Sequence, residues 1–224
     1  MQAGKAVYEG PRDLPLSVPV FPLPGALLLP RGQMPLNIFE PRYLAMVDEA
    51  MAGNRLIGMI QPSGPAGPDG EPGLSAVGCV GRITSYAETD DGRYMIGLTG
   101  ITRFRVVEEL DGRAGFRICR IATEDFAGDF AENAGAEAVD RTRLLDVFRA
   151  YLEANRLDVD WDNIGRTSNE TLVNALSMMS PYGPAEKQAL LEAADLRTRA
   201  ETLIALTEMS LARSGDRGPS PLLQ

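Results

Sequence analysis

Residues 16–43 read LSVPVFPLPGALLLPRGQMPLNIFEPRY, and this stretch sets the character of the first half of the chain. Leu16–Val20 alternates as a short strand and runs into the rigid turn Phe21-Pro22-Leu23-Pro24-Gly25. Prolines fix φ and remove donors, so they suit strand ends rather than strand centres. Met34–Phe39 reads as a second strand. Pro41 then fits the first turn of a helix, where its missing N–H costs nothing. Tyr43, Leu44, Val47 and Met51 recur at helical spacing, and Gly53 supplies the stop.

Outward from this stretch, strands continue to about residue 124. Leu56–Ile60 is an apolar run of strand length, and Val77–Tyr86 is a further strand. Pro62–Gly73, with four prolines and four glycines, reads as a surface loop. Asp90-Asp91-Gly92 predicts a turn with Arg93–Thr99 as hairpin partner, and Asp111-Gly112 predicts another between Phe104–Leu110 and Phe116–Ile121. Six or more strands with one inserted helix predict a closed or nearly closed mixed β-barrel, which leaves few exposed edges.

After residue 125 the period becomes helical. Leu144, Leu145, Phe148, Tyr151 and Leu152 share a helix face. Thr167 and Glu170 are spaced as a capping box before Leu172, Val173, Leu176 and Met179. Pro181-Tyr182-Gly183-Pro184 breaks that helix; Ala185–Ala194 and Asp195–Arg213, with Asp195 as N-cap, complete a bundle of about four. The expected organisation is a flexible leader (1–13), a β-rich subdomain (14–124), a helical subdomain (125–213) and a disordered tail (214–224). The fold class is α+β.

Composition narrows the chemistry. The 224 residues carry a formal net charge of -9 and contain no histidine. Without histidine, Ser-His-Asp and Cys-His catalysis are excluded and the commonest metal ligand is missing. The only lysines are Lys5 and Lys187; both read as solvated surface charges, which leaves no desolvated base for a Ser-Lys dyad. No G-x-x-x-x-G-K-[ST] string is present to cradle a nucleotide phosphate. Cys79 and Cys119 stand far apart and read as buried free thiols, and Cys79 lacks a partner that would make it a nucleophile. Asp158, Asp160 and Asp162 have the spacing of a calcium loop, but Asn163 holds the sixth position and Asn169 the twelfth. No cofactor or metal is expected. The start MQAGKAVYEGPRD lacks an apolar signal core, and the longest apolar stretch, Leu14–Pro30, is interrupted by five prolines. A cytoplasmic protein without a membrane segment is expected.

The segments VFPLPG and PLNIFEPRY, in that order, resemble the opening of the N-terminal domain of Lon proteases. VGCVGRITSYAETDDGRYMIGLTGITRFRVVEEL (77–110) and AEKQALLEAADLRTRAETLIALTE (185–208) are similar to later segments of the same domain. The resemblance covers about residues 14–213. It implies a PUA-like barrel followed by a helical bundle. It also implies recognition of unfolded or tagged proteins, without the ATPase motor and Ser-Lys peptidase that follow in the full-length protease. The expected partners are client proteins and a separate protease or chaperone. The expected contact surface is a groove between the subdomains near Phe39, Glu40, Arg42 and Tyr43. A Glu40–Arg42 pair that fixes the helix start is the structural alternative for those charges. Nine methionines suit an adaptable apolar groove, Met34, Met46, Met51, Met59, Met178 and Met179 among them. Two other functions stay open. RNA binding would need a basic face built from Arg82, Arg93, Arg103, Arg105, Arg113, Arg117 and Arg120, against an acidic net charge that makes nucleic acid an unlikely partner. A hydrolase of unknown type would need chemistry from carboxylates or Cys79.

Overall fold

A computed structural model describes residues 1–66, 70–110, 115–157 and 159–215. Its strands are β1 (Gln2–Ala3), β2 (Ala6–Val7), β3 (Ser17–Pro22), β4 (Gln33–Ile38), β5 (Leu56–Ile60), β6 (Pro62–Ala66), β7 (Pro72–Leu74), β8 (Val77–Glu88), β9 (Tyr94–Leu110) and β10 (Arg117–Ala122). Helix α1 (Pro41–Ala52) is inserted between β4 and β5, and α2 (Arg141–Ala154), α3 (Trp161–Arg166), α4 (Asn169–Met179), α5 (Pro184–Glu192) and α6 (Leu196–Gly215) follow.

The main sheet has the order β10-β3-β5-β8-β9-β4, and β10 also pairs with β9. Five strands therefore close into a ring, while β4 extends it from one side. Strand β9 makes both arrangements possible through its length. Its first half, Tyr94–Thr99, pairs with β4, and its second half, from Arg105, pairs with β10. The sequence divides this strand into two, Arg93–Thr99 and Phe104–Leu110; in the structure Gly100–Arg103 continues the pairing with β8 without a break in the strand. Among the described strands only β3 and β5 run parallel, and the long connection through β4 and α1 supplies the crossover that a parallel pair needs.

One apolar cluster takes Val18, Val20, Leu56, Val80, Ile101, Phe104 and Cys119 from all five ring strands. Gly58 and Gly78 are the residues that admit the Phe104 ring; a methyl on Gly78 would lie within 3 Å of that ring and of the Met59 carbonyl. The second cluster is larger. It joins Phe21, Ile57, Met59 and Cys79 of the barrel to Tyr43, Met46 and Val47 of α1, and then to Leu144, Leu172, Val173, Leu190, Leu203 and Ile204 of the helices. Barrel and bundle thus share one core.

Several expectations need correction. Residues 1–13, read as a flexible leader, form the β1–β2 hairpin and a turn of 3-10 helix, with Ala3 and Tyr8 buried against the barrel. The stretch Pro62–Gly73, read as loop, contains the paired strands β6 and β7. The bundle has five helices among the described residues rather than about four. The cap of α4 is Ser168, whose side chain accepts from Thr171 N, so Thr167 and Glu170 form no capping box. Helix α6 begins behind Asp195, whose carboxylate accepts from Thr198 N at 2.7 Å, and it reaches Gly215, past the expected start of the tail. The Asp111-Gly112 turn, Asp158 and residues 216–224 lie outside the described residues.

The barrel and the helices are pinned by Arg103 of β9. Its guanidinium makes an ion pair with Asp129 at 2.8 Å, with both side chains less than a tenth exposed. It also donates to the carbonyls of Leu191 and Ala193, at the end of α5. Removing one partner of such a pair leaves a buried charge uncompensated. Asp129→Ala should lower the unfolding free energy by about 3–5 kcal/mol in urea titrations. Glu201→Ala, which breaks the exposed Arg197–Glu201 pair on α6, should leave the urea midpoint nearly unchanged, because solvent screens such a pair.

Candidate functional site

Among the described residues β4 has a hydrogen-bonded neighbour, β9, on one side only. Pro35 lies in the middle of this strand and has no donor to give a ladder, as suits an edge. Facing this edge, α4 presents Glu170, Thr171, Asn174, Ala175 and Met178, spaced as one face of a helix, while Leu172 and Val173 point into the core. Between the two runs a groove of about 450 Å³, lined also by Leu27, Pro30, Arg31, Gly32, Gln33, Met34, Pro35 and Met179. Its wall is largely apolar and carries three methionines. Met178 lies directly on Gly32, where a methyl would collide with its sulfur. Met179 is 82% exposed at the lip. Thioethers are flexible and polarisable, so such a wall can repack around different side chains.

The groove is held open by polar fastenings. Arg31 adopts the left-handed backbone conformation (φ 64°). Its backbone N–H donates to Gly100 O, its Nη1 to Asp129 O, and its Nε to Glu170 Oε1 at 2.9 Å. Glu170 completes an ion pair with Arg31 Nη2 and also accepts from the backbone N–H of Asn133, a second left-handed residue. Asn174 donates to Pro30 O at 3.2 Å.

Behind the Arg31–Glu170 pair lies a second, polar cavity of about 240 Å³. Arg31, Arg103, Asp129, Glu170 and Arg199 line it, with Ala194, Asp195 and Leu196 at the N-terminus of α6. Arg199 is 4% exposed. Its Nε donates to Leu190 O and its Nη1 to Asn174 Oδ1, but its Nη2 has no acceptor among the described residues. Burial, with Arg103 nearby, lowers its pKa to about 10, so it stays charged at neutral pH.

The residues expected to form the contact surface lie elsewhere. Phe39, Glu40, Arg42 and Tyr43 sit at the start of α1 and do not line the groove. Phe39 is 62% exposed, with the Arg93 guanidinium over its ring. Arg42 bonds Glu40 across Pro41 at 3.1 Å and Glu71 at 2.6 Å, and stacks over Tyr43. Tyr43 is buried against Phe21, with ring centroids 4.3 Å apart. Of the methionines, Met34, Met178 and Met179 reach the groove, Met46 and Met59 are core, and Met51 packs at the edge of the core.

Lys187, read from sequence as a solvated charge, is buried. Its Nζ donates to the carbonyls of Ser177 and Met178 at the C-terminal end of α4, where a cation complements the helix dipole. Burial lowers its pKa. Asp160 caps α3, Glu108 and Glu109 pair with Arg120 and Arg117, and Asp91 pairs with Arg93. The arginines proposed for an RNA face are largely engaged: Arg105 with Asp125, Arg103 with Asp129, and Arg82 with Asn54 O. Arg113 lies outside the described residues. Among the described residues no helix is long and apolar enough to cross a membrane.

A closed barrel sharing its core with a helical bundle, and a methionine-lined groove between them, define a scaffold built around a surface. The chain belongs to the family described as the ATP-dependent protease La (LON) substrate-binding domain, whose profile matches residues 17–208. It is 24% identical over 200 residues to the Lon protease of Dictyoglomus thermophilum, covering 84% of this chain and 24% of that protein. Lon protease 2 of Sorangium cellulosum is 28% identical over 202 residues, covering 87% and 25%. The chain thus spans about a quarter of the length of these relatives. The Lon N-terminal domain protein from Xanthomonas campestris superimposes with a TM-score of 0.59 at 23% identity, covering 84% of this chain and 97% of that one. The N-terminal domain of the Mycobacterium avium complex Lon protease gives 0.64 at 19%, covering 86% and 98%. These two likenesses establish the fold.

Cys79 and Cys119 are free and fully enclosed. Burial raises both thiol pKa values, Cys119 to about 11 and Cys79 further. Thiolate is the reactive form. Native protein at pH 8 should therefore react with neither equivalent of a disulfide reagent such as DTNB, and both thiols should titrate at once in strong denaturant. Rapid native labelling of Cys79 would contradict its assignment as a structural thiol.

Proposed function

We propose that this chain is a non-catalytic module that captures exposed apolar segments of client proteins in the groove between β4 and α4, for delivery to a protease or as an adaptor. The single observation that carries the reading is the groove itself: about 450 Å³, walled by Met34, Met178 and Met179, in a domain of the substrate-binding family. Rigid elements set its shape, and flexible thioethers supply tolerance of different clients. Phe39, Glu40, Arg42 and the Tyr43 that anchors them are a second contact candidate, since Phe39 is a large exposed ring at the start of α1. The reading needs no bond-making chemistry, in keeping with the lack of histidine and the enclosure of Lys187 and Cys79. It also places the module in the cytoplasm, where unfolded clients and Lon-type proteases meet. Nucleic-acid binding is the weaker reading, because so many of the arginines it requires already hold carboxylates.

Burying one large apolar side chain contributes about 1.5–3 kcal/mol, and a charge in the groove would oppose it. Met34→Asp with Met178→Asp should weaken binding of reduced, unfolded casein at least about tenfold in fluorescence anisotropy, with the circular dichroism spectrum unchanged. Phe39→Ala measures the second contact and should weaken binding less. If the wild-type protein binds no unfolded client at tens of micromolar, the proposal fails.

A further inference from the structure

We propose that the polar cavity at the N-terminus of α6 receives the C-terminal carboxylate of a chain whose preceding apolar residues lie in the methionine groove. This assignment rests on the groove reading above and adds the class of segment it selects.

Three observations converge on the cavity. The first is contiguity. Pro30, Arg31 and Glu170 line both spaces. Asn174 faces the groove while accepting a hydrogen bond from Arg199 at 3.1 Å. The two spaces therefore adjoin across the Arg31–Glu170 pair.

The second is the charge account. Each carboxylate on the cavity wall already has a donor: Asp129 has Arg103, Glu170 has Arg31, Asp125 has Arg105, and Asp195 has Thr198 N. Arg199 is the exception among the cations. Its bonds go to neutral acceptors, and Nη2 is buried with none among the described residues. A buried guanidinium in that state is strongly disfavoured unless an acceptor reaches it, and an anionic acceptor satisfies both the hydrogen bond and the charge. The 20-residue α6 adds its positive end at Ala194–Leu196.

The third is size. About 240 Å³ is several times the ~30 Å³ share of one water molecule. It accommodates a terminal carboxylate with a small residue. A chain end brings a carboxylate to Arg199, which an internal segment of neutral residues does not.

The test compares a short labelled peptide of Ser, Leu, Phe and Ala as free acid and as C-terminal amide, both titrated against the intact protein. Hydrogen bonds to charged groups contribute enough for the acid to bind about tenfold tighter or more. In Arg199→Met the acid should fall to the level of the amide. Because that variant can be unstable, the acid–amide comparison on wild-type protein decides by itself. Equal affinity of acid and amide, with both weakened by Met34→Asp, would overturn the carboxylate assignment and leave the groove reading standing. Failure of both peptides to bind, with unfolded casein failing too, would remove the two together. Acetate at matched ionic strength raising the Tm as far as the acid peptide does would assign the cavity to a free small anion and overturn the terminal assignment.

Discussion

Arg103 and Asp129 are the joint on which barrel and bundle turn. Neither element could be placed by apolar packing alone, since hydrophobic contact is not directional. The guanidinium supplies direction. It spans from β9 to the carboxylate of Asp129, which follows β10, and to two carbonyls at the end of α5. Phe126 packs against its face at 4.7 Å. A buried pair of this kind is weak evidence for net stability, because desolvation offsets much of the attraction. What it fixes is geometry, and both partners line the polar cavity beside the helices.

The same joint explains why a groove survives beside so much apolar surface. A sheet edge facing a helix would ordinarily close upon it. Here Arg31, held in a left-handed conformation, is tied by its backbone to Gly100, by its side chain to Glu170 and by Nη1 to Asp129 O. These bonds keep β4 and α4 apart by fixed spacers rather than by packing. The groove is thus preformed, and under the proposed function a client segment would spend little free energy on opening it.

Much of the fold was legible in sequence because it depends on local rules. Pro41 at the first turn and Gly53 at the end delimit α1 as expected, and Leu56–Ile60 is the strand its apolar run announces. The Lon-like segments carried the architecture. The errors arise where a distant contact overrides the local rule. Pro62–Ala66 and Pro72–Leu74 pair despite a composition that signals loop. The leader is ordered by burial of Ala3 and Tyr8, which a polar composition hides. Glu170 stands at capping-box spacing, yet its partner is Arg31, 139 residues away. Lys187 resembles any helical surface lysine until α4 is seen to end against it. The site follows the same logic. Methionine abundance pointed toward a groove, but its position depends on which strand is left at the edge, and this follows from the length of β9, which the sequence reads as two pieces. In the Phe39–Tyr43 stretch, Arg42 pairs with Glu40 across Pro41 and Tyr43 packs on Phe21, contacts that hold the start of α1.

The distribution of arginine bears on function more than its number does. The chain is acidic overall, and its positive charge is almost all Arg. Arg suits this use because its planar fork can bridge carboxylates and carbonyls at once. Arg117 joins Glu109 and the Pro72 carbonyl, and Arg141 joins Asn169 and Ile164 O. Guanidinium groups committed in this way cannot also neutralise a phosphate backbone, since each release would cost an existing pair. An electrostatic surface made of internal fastenings disfavours non-specific attraction to polyanions. Under the proposed function, recognition then rests on shape and apolar contact, the terms that an unfolded segment can satisfy.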